Sequence, residues 1–533
     1  MTKIKPKRFN VTGPCVPADH YMLPPLDRIP GVHGLIDGKN YFVLRGPHQS
    51  GKTTAAKAFV DSINDGGNYY ALYCSLGGLA TVTDDAKAMG MLISKLNVAL
   101  MASRAEGLKR NYGENFLAEF HAWPDFAESP AQAWLRTLCA RLDKDLVVFF
   151  GEADCLGERS LLSFLSQLRD GHAERPTVPF PRSIALIGMR NIRDYEARIT
   201  DAGSMCPPFN FIKKTLTMAD FTEPEIKELY TRHTKATGQV FTDGAVSMAW
   251  YWSEGQPWLV NALACEAVEE IMANDYETII TGWHVDQAAE NLMARRDTHI
   301  GSLLARLSEP RVRRFIGPML AASGDSALDC GDDGNVNALY DDLGYCLELG
   351  LLKNDKVLCP ANPIYAGAMV RFLTDQVQSK LPWDQAVKWK DDYCIDVNGA
   401  LKAFQRYWAK DSERYLKGLH LAEAGPHILL TAFLRMVVNG EAAIINEYAD
   451  GQGYADIVIE HLRGRYAIEL RIGGTETGRA DSFERLEEYT ARPSVTEAWL
   501  VTFDRSQGKD WTEKITWETE KRPNGFIVHV VGC

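Results

Sequence analysis

Residues 46–53 read Gly46-Pro47-His48-Gln49-Ser50-Gly51-Lys52-Thr53, which is the pattern G-x-x-x-x-G-K-T. The run before it, Tyr41-Phe42-Val43-Leu44-Arg45, has the length and apolar content of a buried strand. Thr54 to Ile63 reads as a helix. Strand, glycine-rich loop and helix is the context in which this pattern cradles phosphate. The glycines let backbone N–H groups wrap an anion, and the helix start adds the positive end of its dipole. Lys52 is placed to reach the β- and γ-phosphates, and the Thr53 hydroxyl to ligate Mg2+. The expected nucleotide-binding set is Gly46, Gln49, Ser50, Gly51, Lys52, Thr53 and Thr54, with ATP and Mg2+ as cofactors.

Working outward, further strands are expected at Tyr69–Cys74, Asp145–Phe150 and Ser183–Gly188. Helical spacing (Met89, Leu92, Leu96, Leu100) falls between the first two. Strands alternating with helices predict a doubly wound α/β domain with a parallel sheet. In such phosphoryl-transfer sites one carboxylate holds Mg2+ and another residue orients the attacking water. Here the third strand ends in Gly151-Glu152-Ala153-Asp154. Glu152 stands where the catalytic base belongs, and Gly151 where the magnesium carboxylate belongs. Asp154 compensates only if the backbone is displaced. The fourth strand runs into Arg190 and Asn191, either of which could sense a γ-phosphate at the carboxyl edge of the sheet.

The chain has 533 residues, enough for about three or four domains. From residue 218 the pattern turns helical, with Thr222 as an N-cap and Pro224 in the first turn. Residues 301–375 read helix, helix, helix, hairpin. That order suits a winged helix, with a plain helical linker as the alternative. After residue 380 come helical segments over 396–440, then strands at 443–447, 455–460, 466–471 and 498–501. The expected division is 1–217 for a phosphate-loop core, 218–300 for a helical lid, 301–380 for a winged-helix-like unit and 381–533 for a second, mixed α/β domain.

Composition narrows the classes of function. Lys and Arg number 58 against 70 Asp and Glu, a net charge of −12. No global basic field draws in nucleic acid, so such binding needs a local patch. The 11 cysteines are scattered, with no C-x-x-C pair, which fits a reducing cytoplasm. No apolar run follows the basic N-terminus, and none reaches 18 residues, so neither a signal peptide nor a membrane span is expected. The aromatic residues Tyr251, Trp252, Trp258 and Trp283 read as core, and His420 and His427 as packing or surface residues.

A second constellation lies near the C-terminus. Asp456 opens one strand, and Glu469 and Arg471 share a face of the next. Two carboxylates and a cation on adjacent strands suit metal-assisted phosphodiester chemistry, with Asp456 and Glu469 as metal ligands. Arg463, Arg465, Arg471, Arg479, Arg485 and Arg492 give this region a cationic patch.

Two resemblances follow from these residues. Phe9-Asn10-Val11, Gly13-Pro14-Cys15, His20-Tyr21-Met22, the phosphate loop, Arg193-Asp194-Tyr195, Gly238–Thr242 and Gly255-Gln256-Pro257-Trp258 resemble bacterial AAA-like P-loop ATPases of the STAND and archaeal-type group, over residues 9 to about 375. The resemblance implies a nucleotide-gated switch, with Pro257 touching the base. Many relatives carry Asp-Glu at 151–152, so Gly151 implies that holding ATP is separated from hydrolysing it quickly. Residues 415–505 resemble the PD-(D/E)XK nuclease superfamily, with Glu423 matching its helical acidic residue and Glu447 competing for that role. Arg471 replaces the usual Lys, and Arg485 and Tyr489 stand where Gln and Tyr often occur. Together these imply an ATP-gated, Mg2+-dependent nuclease acting on nucleic acid, with homo-oligomerisation and a role in bacterial defence or mobile-element biology. The alternative is a nucleotide-sensing scaffold whose degenerate nuclease domain binds nucleic acid or a protein partner.

Overall fold

The computed structural model describes residues 6–111, 113–123, 127–188, 210–295, 298–320, 336–354, 358–378, 390–391, 394–419, 425–438, 442–445, 456–461, 464–473, 476–490, 495–504, 510–523 and 525–533. Arg190, Asn191, Glu423, Glu447 and His420 lie outside them. The chain divides into two compact units, Met1–Ala288 and Ala289–Cys533.

The first unit is built on β1 (Tyr41–Arg45), β2 (Tyr70–Ser75), β3 (Leu146–Gly151), β4 (Ser183–Ile187) and β5 (Ile212–Thr217). They form one five-stranded sheet in the order β2-β3-β4-β1-β5, and every neighbouring pair is parallel. Strands buried on both faces read as unbroken apolar runs, and the alternation of side chains explains both cores. Val43, Leu72, Cys74, Val148, Phe150 and Leu186 face one way, toward the helices Asp85–Ala102, Pro130–Arg141 and Glu158–Glu174. Phe42, Leu44, Ala71, Val147, Phe149 and Ile187 face the other, where Ala55, Ala56, Phe59 and Ile63 of the helix Lys52–Gly66 pack.

Behind the sheet, the helix Glu223–Thr237 starts as expected. Thr222 N and Oγ1 bond Glu225 Oε2 at 2.7 and 2.9 Å, closing a capping box over Pro224. Helices follow at Asp243–Ser253 and Pro257–Cys265, the latter running into a π-helical turn at Glu266–Ile271. Trp258 is buried, whereas Tyr251 and Trp283 are 42% and 62% exposed. Those two are therefore surface residues and not core.

In the second unit, the helices Thr298–Ala305, Pro310–Leu320 and Val336–Leu349 precede a hairpin of β6 (Leu352–Asn354) and β7 (Leu358–Pro360), then the helix Pro363–Gln378. After a short pair, β8 (Lys390–Asp391) and β9 (Cys394–Ile395), the helices Val397–Leu419 and Gly425–Val438 lead into a mixed sheet. Its strands are β10 (Ala443–Ile445), β11 (Ile457–His461), β12 (Gly464–Ile472), β13 (Val495–Phe503), β14 (Trp517–Lys521) and β15 (Ile527–Gly532), in the order β10-β11-β12-β13-β15-β14. The β12–β13 and β13–β15 pairs are parallel, and the others are antiparallel. The helix Glu476–Thr490 crosses between β12 and β13. Its Phe483, Leu486 and Tyr489 pack on Val458, Ala467, Ala498 and Leu500. On the opposite face, Phe404 and Trp408 of the helix Val397–Leu419 lie 6.2 and 4.8 Å from the Phe503 ring.

Candidate functional site

The phosphate loop leaves the carboxyl end of β1, an interior strand, where ligands of open α/β sheets sit. Gln49 and Gly51 take left-handed backbone conformations, φ 60° and 94°, which turn successive N–H groups inward. Gly46 is needed for space, since a Cβ there would lie 2.9 Å from Ser50 Oγ and 3.3 Å from Met218 Cβ. Lys52 Nζ donates to the loop's own carbonyls, Gly46 O at 2.7 Å and Pro47 O at 2.6 Å. Ser50 is 0% exposed, and its Oγ has no hydrogen-bond partner in the structure. A buried hydroxyl of that kind costs about 1–3 kcal/mol unless something bonds it. The loop therefore fits a phosphate chain, which would give Ser50 and the inward N–H groups acceptors and draw Lys52 off its carbonyls.

Three other segments close round the loop. Thr54 Oγ1 accepts from Cys15 N at 3.1 Å, which ties residues 8–23 to the phosphate-loop helix. The Trp258 indole N–H donates to Val11 O at 2.9 Å. Gln256 donates to His48 O at 3.4 Å and caps Leu259 N at 2.6 Å, which places Pro257 at the first turn of its helix. Gly255, φ 82°, receives the Phe221 N–H on its carbonyl at 2.7 Å, and a Cβ there would fall 1.8 Å from Phe221 O. Gly255→Ala is therefore expected to destabilise the first unit by about 2 kcal/mol or more. Calorimetric unfolding of the full chain checks this through a lower first transition.

At the end of β3 the backbone does turn aside. Glu152 adopts φ 58°, and the 3-10 turn Ala153–Cys155 follows. The Glu152 carboxylate accepts from Ser75 Oγ at 2.8 Å and packs over Gly77, whose Cβ would meet it at 2.0 Å. Asp154 goes the other way, and a Cβ on Gly188, at the end of β4, would lie 2.9 Å from Asp154 Oδ1. The structure thus sets Glu152 toward β2 and Asp154 toward β4. Tyr73, unremarked in the sequence, is hydrogen-bonded to Thr53, with Glu152 near its hydroxyl. Thr53, Glu152 and Asp154 are oxygen donors of the kind Mg2+ takes.

In the second unit, Ile457 pairs with Ile468, and this register sets Asp456 directly opposite Glu469. Both are buried, at 6% and 0% exposure. Asp456 Oδ2 accepts from Leu470 N at 2.6 Å. Glu469 Oε1 is 2.7 Å from Arg485 Nη2, whose side chain is 38% exposed. Burial raises the proton affinity of both carboxyls, and for Glu469 the facing Asp456 adds to the rise while Arg485 and Arg471 oppose it. A divalent cation relieves the same crowding of negative charge, so the pair fits one. Among the described residues no group of three or more His, Cys, Asp and Glu forms a metal cluster. The structure also alters the cationic patch. Arg465 is 2.6 Å from Glu460, and Arg479 pairs with Glu518 and Glu520. With Arg485 on Glu469, these arginines are locally neutralised and do not make an open basic surface.

No family model matches the chain, and no curated protein matches it. Among solved structures it is similar to the Walker-type ATPase of Pyrococcus abyssi, at 14% identity and a TM-score of 0.46, over 68% of this chain and 99% of that one. It is also similar to the ORC2 protein of Aeropyrum pernix, seen in ADPNP–ADP complexes, at 12% identity and a TM-score of 0.36, over 65% and 91%. A third is the RuvB Holliday junction branch migration motor of Thermotoga maritima, at 16% identity and a TM-score of 0.32, over 62% and 88%. The P-loop ATPase-like fold of the first unit rests on its own strand order and loop geometry. Among the described residues no helix is long and apolar enough to cross a membrane.

Proposed function

We propose that this chain is a cytoplasmic ATP-binding switch whose nucleotide state controls a metal-dependent, nuclease-like C-terminal domain acting on nucleic acid. The observation that carries the reading is the buried, facing pair Asp456 and Glu469 in a chain whose other unit presents a complete phosphate loop. In the first unit, Lys52 offsets β- and γ-phosphate charge, the loop N–H groups and Ser50 bond phosphate oxygens, and Thr53 holds Mg2+. Glu152, steadied by Ser75, orients water, and the missing carboxylate at 151 keeps turnover slow. The helix order before the β6–β7 hairpin supports a winged-helix unit as the coupling element. In the second unit, Asp456 and Glu469 hold a divalent cation, which when bound polarises the scissile phosphate. Arg471 and Arg485 stabilise charge on the phosphoryl oxygens. Metal-dependent nicking of DNA or RNA by the full chain, lost in Asp456→Ala, tests this reading.

The Arg485–Glu469 ion pair favours a second reading, a nucleotide-sensing scaffold with a degenerate nuclease domain, because the guanidinium already satisfies one carboxylate. Tight ATP binding without turnover, and no cleavage with Mg2+ or Mn2+, would select it. The competition itself is measurable. Arg485→Gln removes the positive charge that opposes a cation and is expected to tighten Mn2+ binding to the full chain about tenfold in calorimetric titration.

A further inference from the structure

Gly151 leaves a gap in the chemistry of the phosphate site, and the neighbouring strand fills it. In the β2–β3 register Ser75 pairs with Gly151 and Tyr73 with Phe149. Tyr73 and Ser75 share a face of β2, so the Tyr73 ring reaches diagonally over the end of β3. A Cβ on residue 151 would lie 2.2 Å from Tyr73 Oη and 2.8 Å from Cζ. Any side chain at 151 and the Tyr73 ring are therefore mutually exclusive. The Tyr73 hydroxyl is hydrogen-bonded to the Thr53 side chain, with the Glu152 charge nearby. Lys57 Nζ, from the same helix as Thr53, is 5.6 Å from the Tyr73 ring centroid.

We propose that Tyr73 is the positioning residue for the Mg2+ side of the nucleotide site, its phenol oxygen accepting the Thr53 hydroxyl proton and so turning a Thr53 lone pair toward the cation. The proposal rests on the nucleotide reading above. A carboxylate at 151 would bring negative charge, and a phenol brings none. Tyr73 therefore orients Thr53 without adding to the attraction for the metal. The nucleotide is held chiefly by Lys52 and the loop N–H groups, and the cation more weakly than a carboxylate would hold it. This gives a site that retains ATP and turns it over slowly.

The test measures affinity of the full-length chain for a fluorescent ATP analogue across a Mg2+ titration, and again in EDTA. Tyr73→Phe keeps the ring over Gly151 and removes only the hydroxyl. It is expected to raise the Mg2+ midpoint about tenfold, the scale at which second-shell partners of a metal ligand act, and to leave the EDTA affinity within about twofold of wild type. The double variant Tyr73→Ala/Gly151→Asp makes room for a carboxylate and is expected to bring the midpoint below that of wild type. An unchanged midpoint in Tyr73→Phe overturns the proposal. So does a double variant with wild-type circular dichroism whose midpoint stays at or above wild type. A wild-type chain that binds no analogue, with or without Mg2+, defeats the nucleotide reading itself and the proposal with it.

Discussion

Lys52→Ala is expected to lower ATP affinity at least about 100-fold, roughly 2.7 kcal/mol. The ammonium carries two duties in turn. In the structure it donates to Gly46 O and Pro47 O, holding the loop's shape. With nucleotide bound it meets two phosphates through charge-assisted bonds, which are about twice as strong as neutral ones. Alanine loses both. Lys52→Arg is not a conservative control, because a planar fork does not fit a point-charge site under a tight loop. The measurement is calorimetric titration with ATP, backed by thermal unfolding. Saturating ATP at about 100 times Kd stabilises a wild-type binding unit by about 2.7 kcal/mol. The variant should show no such rise while its unliganded transition stays close to wild type.

Asp456→Asn is expected to cut metal-dependent cleavage by about three orders of magnitude and to stabilise the second unit at alkaline pH. The sign follows from the shifts. Burial raises the carboxyl pKa of Asp456 and Glu469 above their unfolded values, so the folded state keeps protons that the unfolded state releases. The stability this contributes is present at low pH. It is lost as pH rises past the ordinary carboxylate range, about 4, and through the raised values. Asn cannot ionise, so Asp456→Asn should flatten that decline. Unfolding of the full chain followed between pH 5 and 9 checks this, with the second unit's transition falling more steeply in wild type. A site that weakens its own unit at working pH is the usual trade of stability for function.

The parts of this molecule that could be read in advance were local. The phosphate loop carries its own flanks, and β1, β3 and β4 are continuous apolar runs because both faces of the sheet are covered. The strand β5 escaped notice because Lys213, Lys214 and Thr215 are exposed and only Leu216 is buried. The strand β14 is an edge, with Glu518, Thr519 and Lys521 open to solvent, and β15 completes the sheet only through pairing with it and with β13. The acidic pair was legible, since Asp456 and Glu469 flank a hairpin whose register follows from strand alternation. Its environment was not. Arg485 looked like a departure from a pattern, but the helix Glu476–Thr490 packs on the very face that carries Glu469, and the departure becomes an ion pair. The absence of a carboxylate at 151 was visible as a gap. That Tyr73 fills it depends on the pairing of β2 with β3, which no spacing along the chain reveals.

The account's central claim is that nucleotide state governs the acidic site. Cleavage of single- and double-stranded DNA and RNA by the full chain should therefore be measured with Mn2+ or Mg2+ in three states: ATP, ADP and no nucleotide. The account predicts metal-dependent cleavage whose rate changes between ATP and ADP, a difference that Lys52→Ala erases and an activity that Asp456→Asn abolishes. Cleavage at one rate in all three states, or no cleavage in any of them, would contradict it.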